Sequence, residues 1–300
     1  MTSTYSRIRS TGTSLRDAGV PALRAGAVDP QTTVGMAEGA ARQALDDAKL
    51  TPADVDFLII GTTSPDVVFP NVGCLLQERL GIRGGAAFSV EAGSAGFIYA
   101  LSIADRFIAS AQAQCALVIG ADTLAGGSEG HDRASPANYA AAAGAVVLEA
   151  ASEPGIVAMH LGADRDDENI PPGAAAPRRA DNAADQTHGT AETEGFRPAW
   201  ASLRTVLDET LARHSLSIDE INGMLPQQAD LPVLQAMARH LGIPMQKVIL
   251  TREYHGDRAS AEVPLALDLA IREGRIGAGD LLLLVALGDT VTWGSALIRL

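Results

Sequence analysis

Short apolar runs alternate with stretches of helical period along this chain. Continuous apolar segments at 57–60, 86–90, 116–119, 145–148, 248–250 and 281–286 read as strands buried on both faces. Between them, apolar residues recur every three or four positions at 40–49, 95–111, 201–214, 231–241 and 263–273, the mark of amphipathic helices. Strands alternating with helices predict an α/β protein built on a largely buried sheet. Residues 164–195, DRDDENIPPGAAAPRRADNAADQTHGTAETEG, break the pattern. That stretch is polar, aperiodic and rich in Pro, Gly and Ala, and reads as a long surface loop.

Part of the pattern occurs twice. LTPADVDFLII (50–60) is echoed by LSIDEINGMLP (216–226), each with Ser or Thr, then acidic residues, then an apolar strand. CLLQERLGI (74–82) is echoed by QAMARHLGI (235–243), and both copies keep the same order. A duplicated unit predicts two αβαβα halves packed in layers about a pseudo-two-fold axis. The boundaries follow as an N-terminal half over 1–155, a linker over 156–195 and a C-terminal half over 196–300. Ligands in such folds favour strand ends where the halves meet.

Composition narrows the function classes. Three hundred residues, 47% of them hydrophobic, can bury a sizeable core. Acidic residues outnumber basic ones 36 to 23, a net charge of −13 that opposes nucleic-acid binding. Two cysteines, Cys74 and Cys115, cannot build a disulfide scaffold or a Cys-rich metal site. No apolar run approaches the roughly 18–20 residues of a membrane span, and the N-terminus lacks a signal-peptide core. The expectation is a soluble, cytoplasmic protein. His131, His160, His188, His214 and His240 show no ligand spacing, and HExxH, phosphate-loop and dinucleotide motifs are absent. Neither metal nor nucleotide chemistry is expected.

One segment carries candidate chemistry. SVEAGSAGFIYALSIADRFI (89–108) runs strand, small-residue turn, long helix, which places Ser94 at the first helical turn. Free N–H groups and the helix dipole favour negative charge there, and would assist a nucleophile. Gly93-Ser94-Ala95-Gly96 equally fits an N-cap followed by small residues for close packing.

Five stretches carry a wider resemblance: GTTSPDVVFPNVGCLLQERLGI (61–82), FSVEAGSAGFIYALSIADRFI (88–108), LPQQADLPVLQAMARHLGI (225–243), YHGDRASAEVPLALDLAIREGRI (254–276) and the terminal LGDTVTWGSALIRL (287–300). Together they resemble the β-ketoacyl-ACP synthase III family, of the thiolase fold, across nearly the whole of 33–300. The resemblance implies a site formed by a Cys nucleophile, a His and an Asn; the matching positions here hold Ser94, Gln227 and Asp257. In the family the Cys takes an acyl group from coenzyme A, and His and Asn assist decarboxylation of malonyl-ACP. A serine hydroxyl needs a general base that a thiol can do without. Gln227 cannot take up and return a proton, although its NH₂ can donate a hydrogen bond. An ionised Asp257 accepts hydrogen bonds only, and would repel the enolate that the Asn stabilises. Asp289 stands at the family's Gly-Gly-Gly oxyanion turn, and Tyr139-Ala140-Ala141-Ala142-Ala143-Gly144 replaces a Phe-Gly-Asp-Gly-Ala-Gly strand. His255 matches a family His beside the catalytic Asn, and a backbone-bonded turn residue is its plain reading.

The resemblance also implies binding positions. Arg133 matches an Arg that stacks on the coenzyme A adenine, while Arg197 and Arg239 match basic positions of the carrier-protein docking face. Pro232 replaces a further docking Arg, and the N-terminal segment lacks the Asp-Glu-Trp stretch that sandwiches the adenine. Phe69 matches a Phe that crosses the dimer interface to close the partner's acyl pocket. The expected ligand is an acyl-CoA or acyl-ACP, with no bound cofactor, and the expected assembly is a homodimer or a heterodimer with a homologous ketosynthase. Two functions fit: a subunit that binds acyl thioester, carrier protein or partner with condensing activity lost, or a Ser94-dependent acyltransferase or thioesterase.

Overall fold

The computed structural model describes residues 4–16, 32–123, 141–163, 197–227, 231–250, 258–288 and 292–300. These form β1 (Tyr5–Arg16), α1 (Thr33–Ala48), β2 (Phe57–Gly61), α2 (Val72–Leu80), β3 (Ala86–Val90), α3 (Gly96–Ala109), β4 (Cys115–Asp122), β5 (Ala141–Ala151), β6 (Ile156–Ala163), α4 (Arg197–Arg213), β7 (Gly223–Pro226), α5 (Leu231–Leu241), α6 (Glu262–Arg272), β8 (Leu281–Leu287) and β9 (Thr292–Arg299). One sheet has the order β1-β5-β4-β2-β3, the other β6-β9-β8-β7. Both begin with an antiparallel edge strand and turn parallel at β4–β2 and at β8–β7. Val248 makes a single parallel bridge to Met224, in the place that β3 takes beside β2. The two sheets therefore repeat one another.

The repetition reaches the connections. Thr51 and Ser217 each open a one-turn 3-10 helix, and their backbone N–H groups donate to Asp54 and Glu220 at 2.7 Å. Gly81 and Gly242 end α2 and α5 with φ of 77° and 73°, a conformation that favours glycine.

Alternating faces of the strands fill three cores. Phe57, Ile59, Ala116 and Val118 from the first sheet, and Leu225, Leu282 and Leu284 from the second, pack on α3 and α6 between the sheets. Leu58, Ile60, Leu117 and Ile119 face α1 and α2. Met224, Leu283 and Val285 face α4 and α5. The result is five layers, α-β-α-β-α, with β2 and β4 buried on both sides as their unbroken apolar runs require.

Three expectations change. The first eight positions of the segment assigned to the linker, 156–163, are β6, an edge strand of mostly half-exposed residues; residues 164–195 lie outside the described set. Positions 248–250 form only the Val248 bridge, following a 3-10 turn at Met245–Lys247. Helix α1 starts earlier than its periodicity suggests, because Thr32 accepts from the Gly35 N–H and the Asp66 carboxylate accepts from Thr33 and Val34. Among the described residues no helix is long and apolar enough to cross a membrane.

Candidate active site

Between β3 and α3 the chain makes a tight turn. Gly93 adopts φ 55°, Ala95 N–H donates to the Ala92 carbonyl and Gly96 N–H to that of Gly93. The first residue of α3 lies directly against the end of β2: a Cβ on Gly61 would stand 2.3 Å from the Gly96 carbonyl carbon. That approach requires glycine at 61, and a Cβ on Gly96 would stand 2.8 Å from Ser260 Oγ. Ser94 is 2% exposed, and its hydroxyl has no hydrogen-bond partner among the described residues. The N-cap is Ala95, so the capping alternative fails for Ser94. A buried hydroxyl without a partner costs about 1–3 kcal/mol, a burden more often kept for function than for stability.

Gln227 follows β7, where its N–H extends the ladder to the Val285 carbonyl at 2.7 Å. Its side-chain oxygen accepts the Leu287 N–H at 3.0 Å. With that oxygen engaged, the group left to a ligand is the NH₂, a donor that does not titrate at neutral pH.

The flanks of the other two positions converge on the same turn. Ser260 Oγ donates to the Gly93 carbonyl at 3.0 Å, and Thr292 Oγ1 donates to the Ala92 carbonyl at 2.9 Å. Gly288 N–H closes the β8–β9 hairpin on the Thr292 carbonyl at 2.7 Å, and a Cβ on Gly288 would meet the Ala92 carbonyl oxygen at 2.7 Å. Ala259 enters Ser260 with φ 44°, strained for a residue with a Cβ. Arg258 and Glu262 are buried beside it, the Arg258 N–H donating to Glu262 Oε1 at 3.2 Å.

Asp257, Asp289, Arg133, Tyr139, Ala140, His131, His188 and His255 lie outside the described residues, as does the side chain of Arg197 at the start of α4. Arg239 is exposed in the last turn of α5, and Pro232 is exposed in its first turn. Phe69 is 90% exposed and Val68 93%, on the loop from β2 to α2. At the base of that loop the Thr62 N–H donates to the carbonyl of Val90, the last residue of β3, the half-exposed outer strand of its sheet. Of the described histidines, His160 bonds Thr210 Oγ1 at 2.6 Å, His240 lies beside Trp200 and His214 is exposed at the end of α4. None reaches the Ser94 hydroxyl. Among the described residues no group of three or more His, Cys, Asp or Glu could hold a metal ion. An open hollow of about 210 Å³, lined by Thr32, Val34, Asp66, Leu75, Glu78 and Arg79, lies apart from the Ser94 turn.

The sequence reading overlooked Asp122, the last residue of β4. It is wholly buried. Its Oδ1 accepts from Thr63 N–H (2.6 Å), Thr63 Oγ1 (2.8 Å), Ser64 Oγ (2.9 Å) and Thr62 Oγ1 (3.1 Å), and its Oδ2 from Ser260 N–H (2.9 Å). Burial pushes the carboxyl above its ordinary value, against the downward pull of the donors from Thr63, Ser64 and Ser260.

Comparison with known proteins places this geometry. Residues 88–165 match the family model of 3-oxoacyl-[acyl-carrier-protein (ACP)] synthase III, and residues 211–300 that of its C-terminal part. The β-ketoacyl-[acyl-carrier-protein] synthase III of Thioalkalivibrio sulfidiphilus is 44% identical over 272 residues, covering 90% of this chain and 84% of the relative. That of Alkalilimnicola ehrlichii is 43% identical over 277 residues, covering 91% and 86%. The crystal structure of 3-oxoacyl-[acyl-carrier-protein] synthase III from Aquifex aeolicus superposes with a TM-score of 0.80 at 32% identity, over 98% of this chain and 100% of that one.

Proposed function

This chain belongs to the 3-oxoacyl-[acyl-carrier-protein] synthase III family, and from that premise we propose that it keeps the family's thiolase-like frame while having lost condensing activity. Its role is then that of a subunit that holds an acyl thioester or its carrier protein, or that pairs with a homologous ketosynthase. One observation carries this reading: among the described residues the Ser94 hydroxyl has no partner to take its proton, while the Gln227 side chain, at the position of the expected base, is bound through its oxygen to Leu287. A hydroxyl left protonated is a poor nucleophile, and an absent general base removes about 10²–10⁴-fold of rate. The carboxyl groups of Asp257 and Asp289, at positions where a developing negative charge needs donors, work in the same direction.

The curated relatives bear the names of synthases that act with acyl carrier protein, which supports an acyl-CoA or acyl-ACP ligand, with Arg133, Arg197 and Arg239 as its basic contacts. Exposed Val68 and Phe69 support pairing of two chains through the loop that bears them. A second reading, acyl transfer or thioester hydrolysis by Ser94, draws on the same hydroxyl just before α3, which is not tied up in a hydrogen bond among the described residues.

The test is a condensation assay with acetyl-CoA and malonyl-ACP. The wild-type chain is expected to turn over at least about 10²-fold more slowly than the triple variant Ser94→Cys, Gln227→His, Asp257→Asn. Wild-type turnover equal to that of the triple variant would overturn the proposal.

A further inference from the structure

We propose that Asp122 and Ser260 are positioning residues that set the conformation of the Ser94 turn. The path is short, and both of its side chains are buried. Asp122 Oδ2 holds the Ser260 N–H at 2.9 Å, and Ser260 Oγ holds the Gly93 carbonyl at 3.0 Å, one residue before Ser94. Asp122 and Ser260 are 0% and 1% exposed, so the bond between them is shielded from water, and the bond to the Gly93 carbonyl is part-buried. Packing leaves no other seat for the clamp: a Cβ on Gly120 would stand 2.0 Å from the Ser260 carbonyl oxygen, and one on Gly96 2.8 Å from Ser260 Oγ. Gly93, at φ 55°, is the residue with the widest conformational freedom in this turn, and its carbonyl is the group that Ser260 restrains.

The other carboxylate oxygen makes the arrangement one-way. Oδ1 accepts the Thr63 N–H together with three hydroxyls, from Thr62, Thr63 and Ser64. An asparagine in place of Asp122 presents one oxygen and one NH₂. Its oxygen goes to the crowded Oδ1 side, where it satisfies the most donors, and its NH₂ then faces the Ser260 N–H. Donor meets donor, Ser260 is released and the clamp on Gly93 loosens. Asp122→Asn and Ser260→Ala are thus expected to act alike on residue 94, by different chemistry. The inference goes beyond the functional proposal, since it concerns the geometry of the turn whether or not Ser94 ever carries an acyl group.

The experiment uses a reporter thiol. In a Ser94→Cys background, the rate of alkylation of residue 94 by iodoacetamide is followed against pH, read peptide by peptide so that Cys74 and Cys115 do not contribute. The helix-terminus field acts on a thiolate only when the turn holds it in place. Adding Asp122→Asn or Ser260→Ala is expected to change the rate about ten- to a hundredfold and to displace the pH profile. Asp105→Asn is the control, a carboxylate that is 3% exposed and bonded to Ser6 and Arg106 rather than to the turn, and it is expected to leave the profile in place. Circular dichroism at the assay temperature establishes that each variant is folded. Ser260→Ala, which removes one hydroxyl, keeps the test open should Asp122→Asn fail to fold. An unchanged profile in folded Ser260→Ala, or an equal change in Asp105→Asn, overturns the inference.

Discussion

His160 and Thr210 show what a single contact does to the pH response. The imidazole on β6 meets the Thr210 hydroxyl on α4 at 2.6 Å; burial, then the nearby Arg213, hold its pKa below 6.5, against an upward pull from Glu209. The unfolded chain therefore takes up the proton first as pH falls. Stability contributed by neutral His160 is complete above about 6.5, and is lost as pH falls from there toward the lower folded value. The stability difference between wild type and His160→Gln, from denaturant melts, should shrink between pH about 7.5 and 5.5; a difference independent of pH contradicts this assignment. Cys115 behaves in the opposite sense. Burial, helped by Asp56 and Glu149, pushes its thiol up to about 11, so it should resist alkylation near neutral pH until the chain unfolds. Ser94 and Gln227 stand out as candidates in the sequence because they sit inside contiguous motifs. Asp122 does not: its donors Thr63 and Ser260 lie 59 and 138 positions away, and in the sequence it only ends an apolar run.

Elements were legible to the extent that apolar side chains fill them. Strands β2, β4 and β8 are continuous apolar runs, and their buried positions match. Strand β1, at the edge of its sheet, has no such run, yet it turns buried positions toward the interior. Its buried Ser6 donates to Asp105, and Thr11 and Thr13 donate to Asp268. A strand whose inner face is hydroxyls paired with buried carboxylates gives no hydrophobic signal. Helix α5, by contrast, has the bounds that its period predicts. Packing between elements also leaves its mark in glycine. Gly120 lets β4 approach Ser260, with 2.0 Å left for any Cβ. Gly120→Ala should lower stability by about 1–3 kcal/mol, the range for overpacking; a neutral substitution would mean that the segment at Ser260 yields freely.

At the scale of the whole molecule, the echo between 50–60 and 216–226 announced the two matching sheets, and the five layers follow from burying both faces of each. Among the described residues the most exposed large apolar side chains stand together on the loop of Val67, Val68 and Phe69, 44%, 93% and 90% exposed. If two chains pair there, Phe69→Asp should weaken the dimer at least about tenfold, since burying one Phe contributes roughly 1.5–3 kcal/mol. Light scattering over a dilution series reads this directly, and a dimer of unchanged strength in Phe69→Asp would place the contact elsewhere. Two copies that each carry a net charge of −13 repel one another, so added salt should tighten the pairing.

Intact-mass spectrometry after incubation with acetyl-CoA and longer acyl-CoAs tests the central claim most directly. The account predicts no mass increase on the wild-type chain at any acyl length, and acylation of the Ser94→Cys, Gln227→His variant under the same conditions. A stable acyl group on wild-type Ser94, absent from Ser94→Ala, would contradict it and identify the chain as an acyltransferase.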